Sequence, residues 1–222
     1  MIPIRDTIPS KRFPFVTILF ILANVFVFIF ELSLRNRLGG FISLYGMSPS
    51  QVRIDAAHGA YIWTVVPFFT SLFLHGGWLH LLGNMLYLWV FGDNVEDKMG
   101  HGRFTIFYIL CGVAGSMLHF FMNPISTAPT IGASGAIAGI LGAYFLLFPK
   151  SKVVTLVPIF FFFTFIDIPA VLFLGIWFLM QFLNGTLALD AQPSATGGIA
   201  WWAHVGGFAS GIILVFPLRK YR

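Results

Sequence analysis

Apolar runs of about 20 residues, nearly free of charge, recur along the whole chain, from Phe15–Leu34 near the start to Ala200–Leu218 near the end. Each is long enough to cross roughly 30 Å of hydrocarbon as a helix. Of the 222 residues, 58% are hydrophobic and 9% charged, whereas an ordinary soluble domain carries roughly one-quarter charged residues. A soluble core is therefore excluded, and one membrane domain over residues 1–222 is expected, with nothing left over for a separate aqueous unit. The formal charge of +5 does not point to nucleic acid, because the basic residues form short clusters beside apolar runs rather than one hydrophilic face. The first run follows Arg5, Lys11 and Arg12 as in a signal peptide, but it continues without a small-residue cleavage site and is expected to be a retained span. Cys111 is the single cysteine, so no intrachain disulfide can form and a packing role is expected.

Spans are expected at about 15–34, 78–95, 104–122, 132–148, 169–187 and 200–218. Residues 35–77 are too apolar for a solvated loop and are broken by Gly39-Gly40, Pro49, Gly59 and Pro67, so this first outer loop is expected to lie partly in the membrane interface. A charged turn, Glu96 to Gly102, should end the second span, and Val153–Ile168 should form an apolar connector interrupted at Pro158. With six spans, ten of the 13 lysines and arginines fall on one side, the cytoplasmic one by the positive-inside rule, and only Arg35, Arg37 and Arg53 on the other. A seventh span would shift Arg219, Lys220 and Arg222 and leave seven against six. Six spans with both termini cytoplasmic is the better expectation, in an all-α polytopic membrane fold.

In that topology spans 2, 4 and 6 enter from the outer side, and His80, Ser134 and His204 each lie within about one turn of an outer helix end. Polar side chains at membrane depth are costly and usually functional. Gly132-Ala133-Ser134-Gly135 opens a glycine-rich helix. Alone it is a weak motif, since most such serines serve close packing, but a helix start offers free N–H groups that can stabilise an oxyanion. His204, in Ala203-His204-Val205-Gly206-Gly207, is a packed histidine on one reading and the base for Ser134 on the other. His80 and Asn84 are four apart on one helical face and can both donate to an oxyanion, or else tie helices together. The nearest acidic residue to His204 is Asp190, in an outer loop, so a Ser-His dyad is expected rather than a triad. Gly135, Gly139 and Gly142 in span 4, with Gly207 and Gly211 in span 6, have the spacing of close helix contacts. A metal site is weakly supported, because His75-x4-His80 lacks the glutamate of His-Glu-x-x-His.

These residues resemble the rhomboid intramembrane serine proteases of the prokaryotic, six-span type. The likeness covers nearly the whole chain, from Ile2-Pro3-Ile4-Arg5-Asp6 to Gly211, and rests on His80-x-x-x-Asn84, Gly132-Ala133-Ser134-Gly135 and Ala203-His204-x-x-Gly207-x-x-x-Gly211. It implies a six-helix bundle with a short central fourth helix and a water-filled cavity open to the outside. Ser134 would be the nucleophile and His204 the base. His80, Asn84 and the Ser134 N–H would hold the oxyanion. His75, and Glu96 with Gly100, would be structural supports, together with Gly132, Gly135, Gly207 and Gly211. The chain departs from the family at Val66-Pro67, where a Trp-Arg pair is common, and at Ala138, where some members place a tyrosine on the catalytic histidine. Some other group must then orient His204.

The implied partners are single-span membrane proteins within the lipid bilayer, in the plasma membrane of a prokaryote. No cofactor, metal or nucleic acid is implied. A substrate helix would enter between spans 2 and 5 and unwind, and activity should fall on acidification because His204 must be neutral to act as base. A rhomboid-like pseudoprotease is disfavoured by the presence of both Ser134 and His204. A transporter is disfavoured because neither an inverted repeat nor intramembrane charge pairs are found.

Overall fold

Most long apolar stretches fold as helices here, and Pro49, Gly59 and Pro67 stand at helix boundaries as expected, whereas Gly39-Gly40, expected to break the chain, lie inside the helix Leu38–Tyr45. The computed structural model describes residues 2–159, 162–189 and 199–220. A strand β1 (Ile2–Asp6) precedes α1 (Phe15–Ser33). Four short helices follow: α2 (Leu38–Tyr45), α3 (Pro49–Ala57), α4 (Tyr61–Val65) and α5 (Pro67–Thr70). Then come α6 (Trp78–Met99), α7 (His101–Met122), α8 (Ser134–Leu147), a hairpin of β2 (Lys152–Ile159) and β3 (Phe162–Pro169), α9 (Ala170–Leu189) and α10 (Trp201–Leu218). Asp190 and Arg222 lie outside the described residues.

Among the described residues, α1, α7, α9 and α10 are each long and apolar enough to cross a membrane, and α6 qualifies together with Tyr61–Phe73, from which it is bent by 80°. α8 is apolar but has only 14 residues. The chain is a multi-pass, mostly helical membrane protein.

Two local expectations are corrected. The charged segment after residue 95 is helical to Met99, and the break is Gly100 alone, at φ +77°, with His101 already in α7. Glu96, Asp97 and Lys98 can stay helical because they end the helix, and Glu96 turns inward to a buried partner described below. Val153–Ile168 is a β-hairpin rather than a featureless connector. β2 pairs antiparallel with β3 from Lys152↔Pro169 to Ile159↔Phe162, and with β1 from Ile2↔Leu156 to Asp6↔Val153. Its β-branched and aromatic residues favour strand, and Pro169 costs no ladder bond beyond the last position before α9.

α8 is the core. Gly135 to Tyr144 is buried without interruption, enclosed by α6, α7, α9 and α10. α10 reaches it because the glycines of the two helices face one another. A methyl group on Gly207 would collide with the Gly135 carbonyl, and one on Gly211 with Gly139. Ala138 belongs to the same contact, its Cβ 3.2 Å from where a side chain on Gly207 would begin. Cys111 packs against Gly139 in the same seam.

The first loop is anchored without a Trp-Arg pair. Met47 pairs with Thr130 through both backbone bonds, at 3.0 and 2.9 Å, and is fully buried. Ser50 N–H donates to Ser126 O at 3.0 Å. An aromatic chain ties the loop to α1, from Trp63 through Tyr45 and Phe41 to Phe30. Tyr61 and Ile62, by contrast, are exposed at 74% and 72%, apolar surface suited to an interface.

Candidate active site

Ser134 is the first residue of α8. The N–H groups of a first helical turn have no carbonyl four residues back to accept them, so Ser134, Gly135 and Ala136 open the helix with unspent donors. The approach to this turn is fixed by Gly132, at φ +124°, whose N–H donates to Ser71 O at 2.9 Å. A side chain on Gly132 would begin 2.6 Å from His80 Nε2 and 3.5 Å from Asn84 Nδ2, so only glycine fits beneath those two groups.

His204, in the first turn of α10, faces Ser134 across the glycine seam. Its Nε2 lies 2.8 Å from Ser134 Oγ. Its Nδ1 lies 2.8 Å from Oε1 of Gln181, a buried side chain on α9. The Gln181 amide is itself oriented, because Nε2 donates to Trp177 O at 3.2 Å. Oε1 therefore accepts, the imidazole proton sits on Nδ1, and Nε2 keeps its lone pair toward the serine hydroxyl. Trp177 and Trp201 flank the ring, with centroids 5.8 and 6.3 Å away. These groups stand where the tyrosine absent at Ala138 would have been needed.

On the opposite side α6 brings His80 and Asn84 against the turn before Ser134. Gly76 N–H donates to His80 Nδ1 at 3.4 Å, which leaves the proton on Nε2. Asn84 Nδ2 donates to His75 Nε2 at 3.0 Å, while His75 Nδ1 donates to Phe73 O at 3.3 Å. One helix start thus has a hydroxyl hydrogen-bonded to an imidazole on one side, and a histidine and an amide presenting donors on the other. Among the described residues no group of three or more His, Cys, Asp or Glu could hold a metal ion.

A family model described as Rhomboid domain matches residues 62–221. The chain belongs to the rhomboid family. Rhomboid protein 1, mitochondrial, of Saccharomyces cerevisiae is 30% identical over 72% of this chain and 44% of its own length. RHOMBOID-like protein 4 of Arabidopsis thaliana is 30% identical over 93% of this chain and 53% of its own length. Rhomboid protease GluP of Bacillus subtilis is 46% identical over 33% of this chain and 14% of its own length. The chain thus spans about half the length, or less, of these relatives.

In this rhomboid the remaining sequence-selected residues are placed as follows. His75 is buried, holds Asn84, and has its own N–H on the Glu31 carboxylate at 3.3 and 3.2 Å. Glu96 lies at the far end of α6 and does not approach Ser134. It accepts from Val16 N–H at 2.9 Å, Thr17 N–H at 2.8 Å and Thr17 Oγ1 at 2.7 Å, so one carboxylate caps the start of α1, and His101 Nδ1 lies 2.6 Å from it. Gly100 lets Glu96 stay helical while α7 turns back beside it.

Sequence reasoning missed Gln181 and Glu31. Each carries a signal that could have found it, a polar side chain within an apolar span, which is costly unless it has a partner inside.

Proposed function

We propose that this rhomboid is an intramembrane serine endopeptidase that cuts transmembrane helices of membrane-protein substrates near the outer face, by a Ser134–His204 dyad. The observation that carries this reading is the 2.8 Å contact of Ser134 Oγ with a His204 Nε2 whose tautomer leaves it free to take a proton.

The chemistry follows from the geometry. Ser134 Oγ attacks the peptide carbonyl as His204 Nε2 removes its proton. The oxyanion forms at the start of α8, where the Ser134 N–H, His80 Nε2–H and the second Asn84 N–H converge. His204 then delivers the proton to the leaving amine, and water entering the same pocket resolves the acyl-enzyme. α8 supplies the depth. Its 14 residues span about 21 Å, short of the roughly 30 Å of hydrocarbon, and Lys150 holds its other end at the cytoplasmic surface. The shortfall falls above Ser134, so on this reading the nucleophile sits beneath the outer face, where water must reach it from outside.

The substrate is a single-span membrane protein. It enters between α6 and α9, which meet away from the site through Phe91 and Phe173, rings 6.4 Å apart. Helix-breaking residues near the outer face favour cleavage, because an intact helical amide is hydrogen-bonded and shielded. The distribution of lysine and arginine supports six spans with both termini cytoplasmic, in the plasma membrane of a prokaryote on this reading.

The test is cleavage of a reconstituted single-span substrate together with labelling by a fluorophosphonate. Ser134→Ala should abolish both. Full cleavage by that variant would remove the proposal.

A further inference from the structure

We propose that Gln181 is the positioning residue of the site, so that the working unit is Ser134–His204–Gln181, with a neutral amide where serine hydrolases commonly use a carboxylate. The inference rests on the dyad reading above and deepens it.

α9 is apolar around this residue, and Gln181 is only 5% exposed. A buried amide without partners is costly, yet both ends of this one are used in a defined order. Nε2 gives its hydrogen to Trp177 O, one turn earlier on the same helix, and Oε1 faces His204 Nδ1 at 2.8 Å. Turning the amide over would set Oε1 against the Trp177 carbonyl and an N–H against the imidazole, losing both contacts. The backbone therefore fixes the amide, the amide fixes the imidazole tautomer, and the tautomer directs a lone pair at Ser134 Oγ.

The helix that carries Gln181 is held to α10 at the same level. Trp202 Nε1–H donates to Gly185 O at 3.1 Å, one turn beyond Gln181. Trp177 and Trp201 restrict the ring from the sides. Holding the ring in one tautomer is the orienting part of a triad's third member. An amide performs it without bringing a second ionisable group into a low-dielectric site, where an unpaired carboxylate would be expensive.

The experiment compares Gln181→Met and Gln181→Glu with wild type in the full chain, reconstituted with a single-span substrate. Methionine keeps the length and volume and suits an apolar helix, but offers His204 no oxygen acceptor. Glutamate restores the acceptor. Gln181→Met should lower kcat roughly 10- to 100-fold, leave KM within about twofold, and slow fluorophosphonate labelling in parallel. Gln181→Glu, which keeps the acceptor for His204 but loses the donor to Trp177 O, should recover part of the lost kcat. Labelling run to completion gives the folded fraction, so a folding defect is counted separately. Wild-type kcat in Gln181→Met would overturn the inference, as would equal loss in both variants after correction for folded fraction. If Ser134→Ala is inactive while Gln181→Met is fully active, only the role of Gln181 fails. If Ser134→Ala still cleaves, the dyad fails and this inference with it.

Discussion

Replacing Gly207 by alanine probes whether the site depends on how closely α10 approaches α8. The added carbon would fall on the Gly135 carbonyl, with Ala138 Cβ 3.2 Å away on the other side. The collision lies roughly 1.5 Å inside ordinary contact distance. Neither neighbour can rotate aside, since one is backbone and the other a single methyl, so α10 must retreat by about that amount. Ser134 directly precedes Gly135, and His204 lies one turn before Gly207. A retreat of that size would take the Ser134–His204 contact from 2.8 Å to roughly 4 Å or more, outside hydrogen-bond range. Gly207→Ala should therefore lower kcat about 100-fold and stability by about 1–3 kcal/mol. The readouts are single-turnover cleavage in liposomes, fluorophosphonate labelling rate and thermal unfolding. Gly102→Ala is the control, because nothing lies within 4 Å of a side chain at that position. Wild-type labelling by folded Gly207→Ala would refute the reasoning.

Glu96→Gln exchanges the carboxylate that caps α1 for an amide and should cost about 1–3 kcal/mol, read as a lower unfolding midpoint, while the folded fraction still labels at Ser134. An unchanged midpoint would contradict the cap. His75→Leu removes the acceptor that holds Asn84, so it and Asn84→Ala should each lower kcat, with the double variant little worse than the poorer single one. Additive losses would show that the two act separately. Burial pushes the Asp6 carboxyl above its usual range, with the Tyr144 hydroxyl working in the opposite direction. The folded state thus holds that proton more tightly than the unfolded chain does. The resulting stability is present at low pH and lost as pH rises through the folded pKa. Asp6→Asn should reduce the gain in unfolding midpoint seen on acidification from about pH 7 to about pH 4, and an unaltered pH dependence would rule Asp6 out as its source.

Residue type alone took the reading of this site a long way, and it stopped where partners had to be known. Glycines spaced along two helices announce a close approach, and the structure shows that the approach is mutual, carbonyl against glycine. The polar residues of Gly132–Gly135, His80, Asn84 and His204 stand out against apolar spans. Which atom of each is occupied depends on neighbours far away in sequence, such as Phe73 for His75 or Gln181 for His204. No local pattern encodes those pairings. The β2–β3 hairpin escaped for another reason. Its residues are apolar almost throughout, so the alternation that betrays a half-exposed strand is absent, and a short buried helix gives the same signal.

The polar side chains beside Ser134 do not close into a complete network, and the way they fail to do so bears on function. His75 has its backbone N–H and both ring nitrogens engaged, the N–H on Glu31, Nδ1 on Phe73 O and Nε2 on Asn84. Asn84 is left with one N–H, and His80 Nε2–H has no acceptor among the described residues. The first N–H groups of α8 add to them. A network built only to bind helices together would meet these donors with acceptors, since an unpaired buried donor costs about 1–3 kcal/mol. His80 Nε2 is not among the buried atoms left without a partner, so its open donor faces accessible space, on the side where the proposed attack by Ser134 Oγ would generate negative charge. Open donors at this turn suit the oxyanion role proposed for His80, Asn84 and the Ser134 N–H.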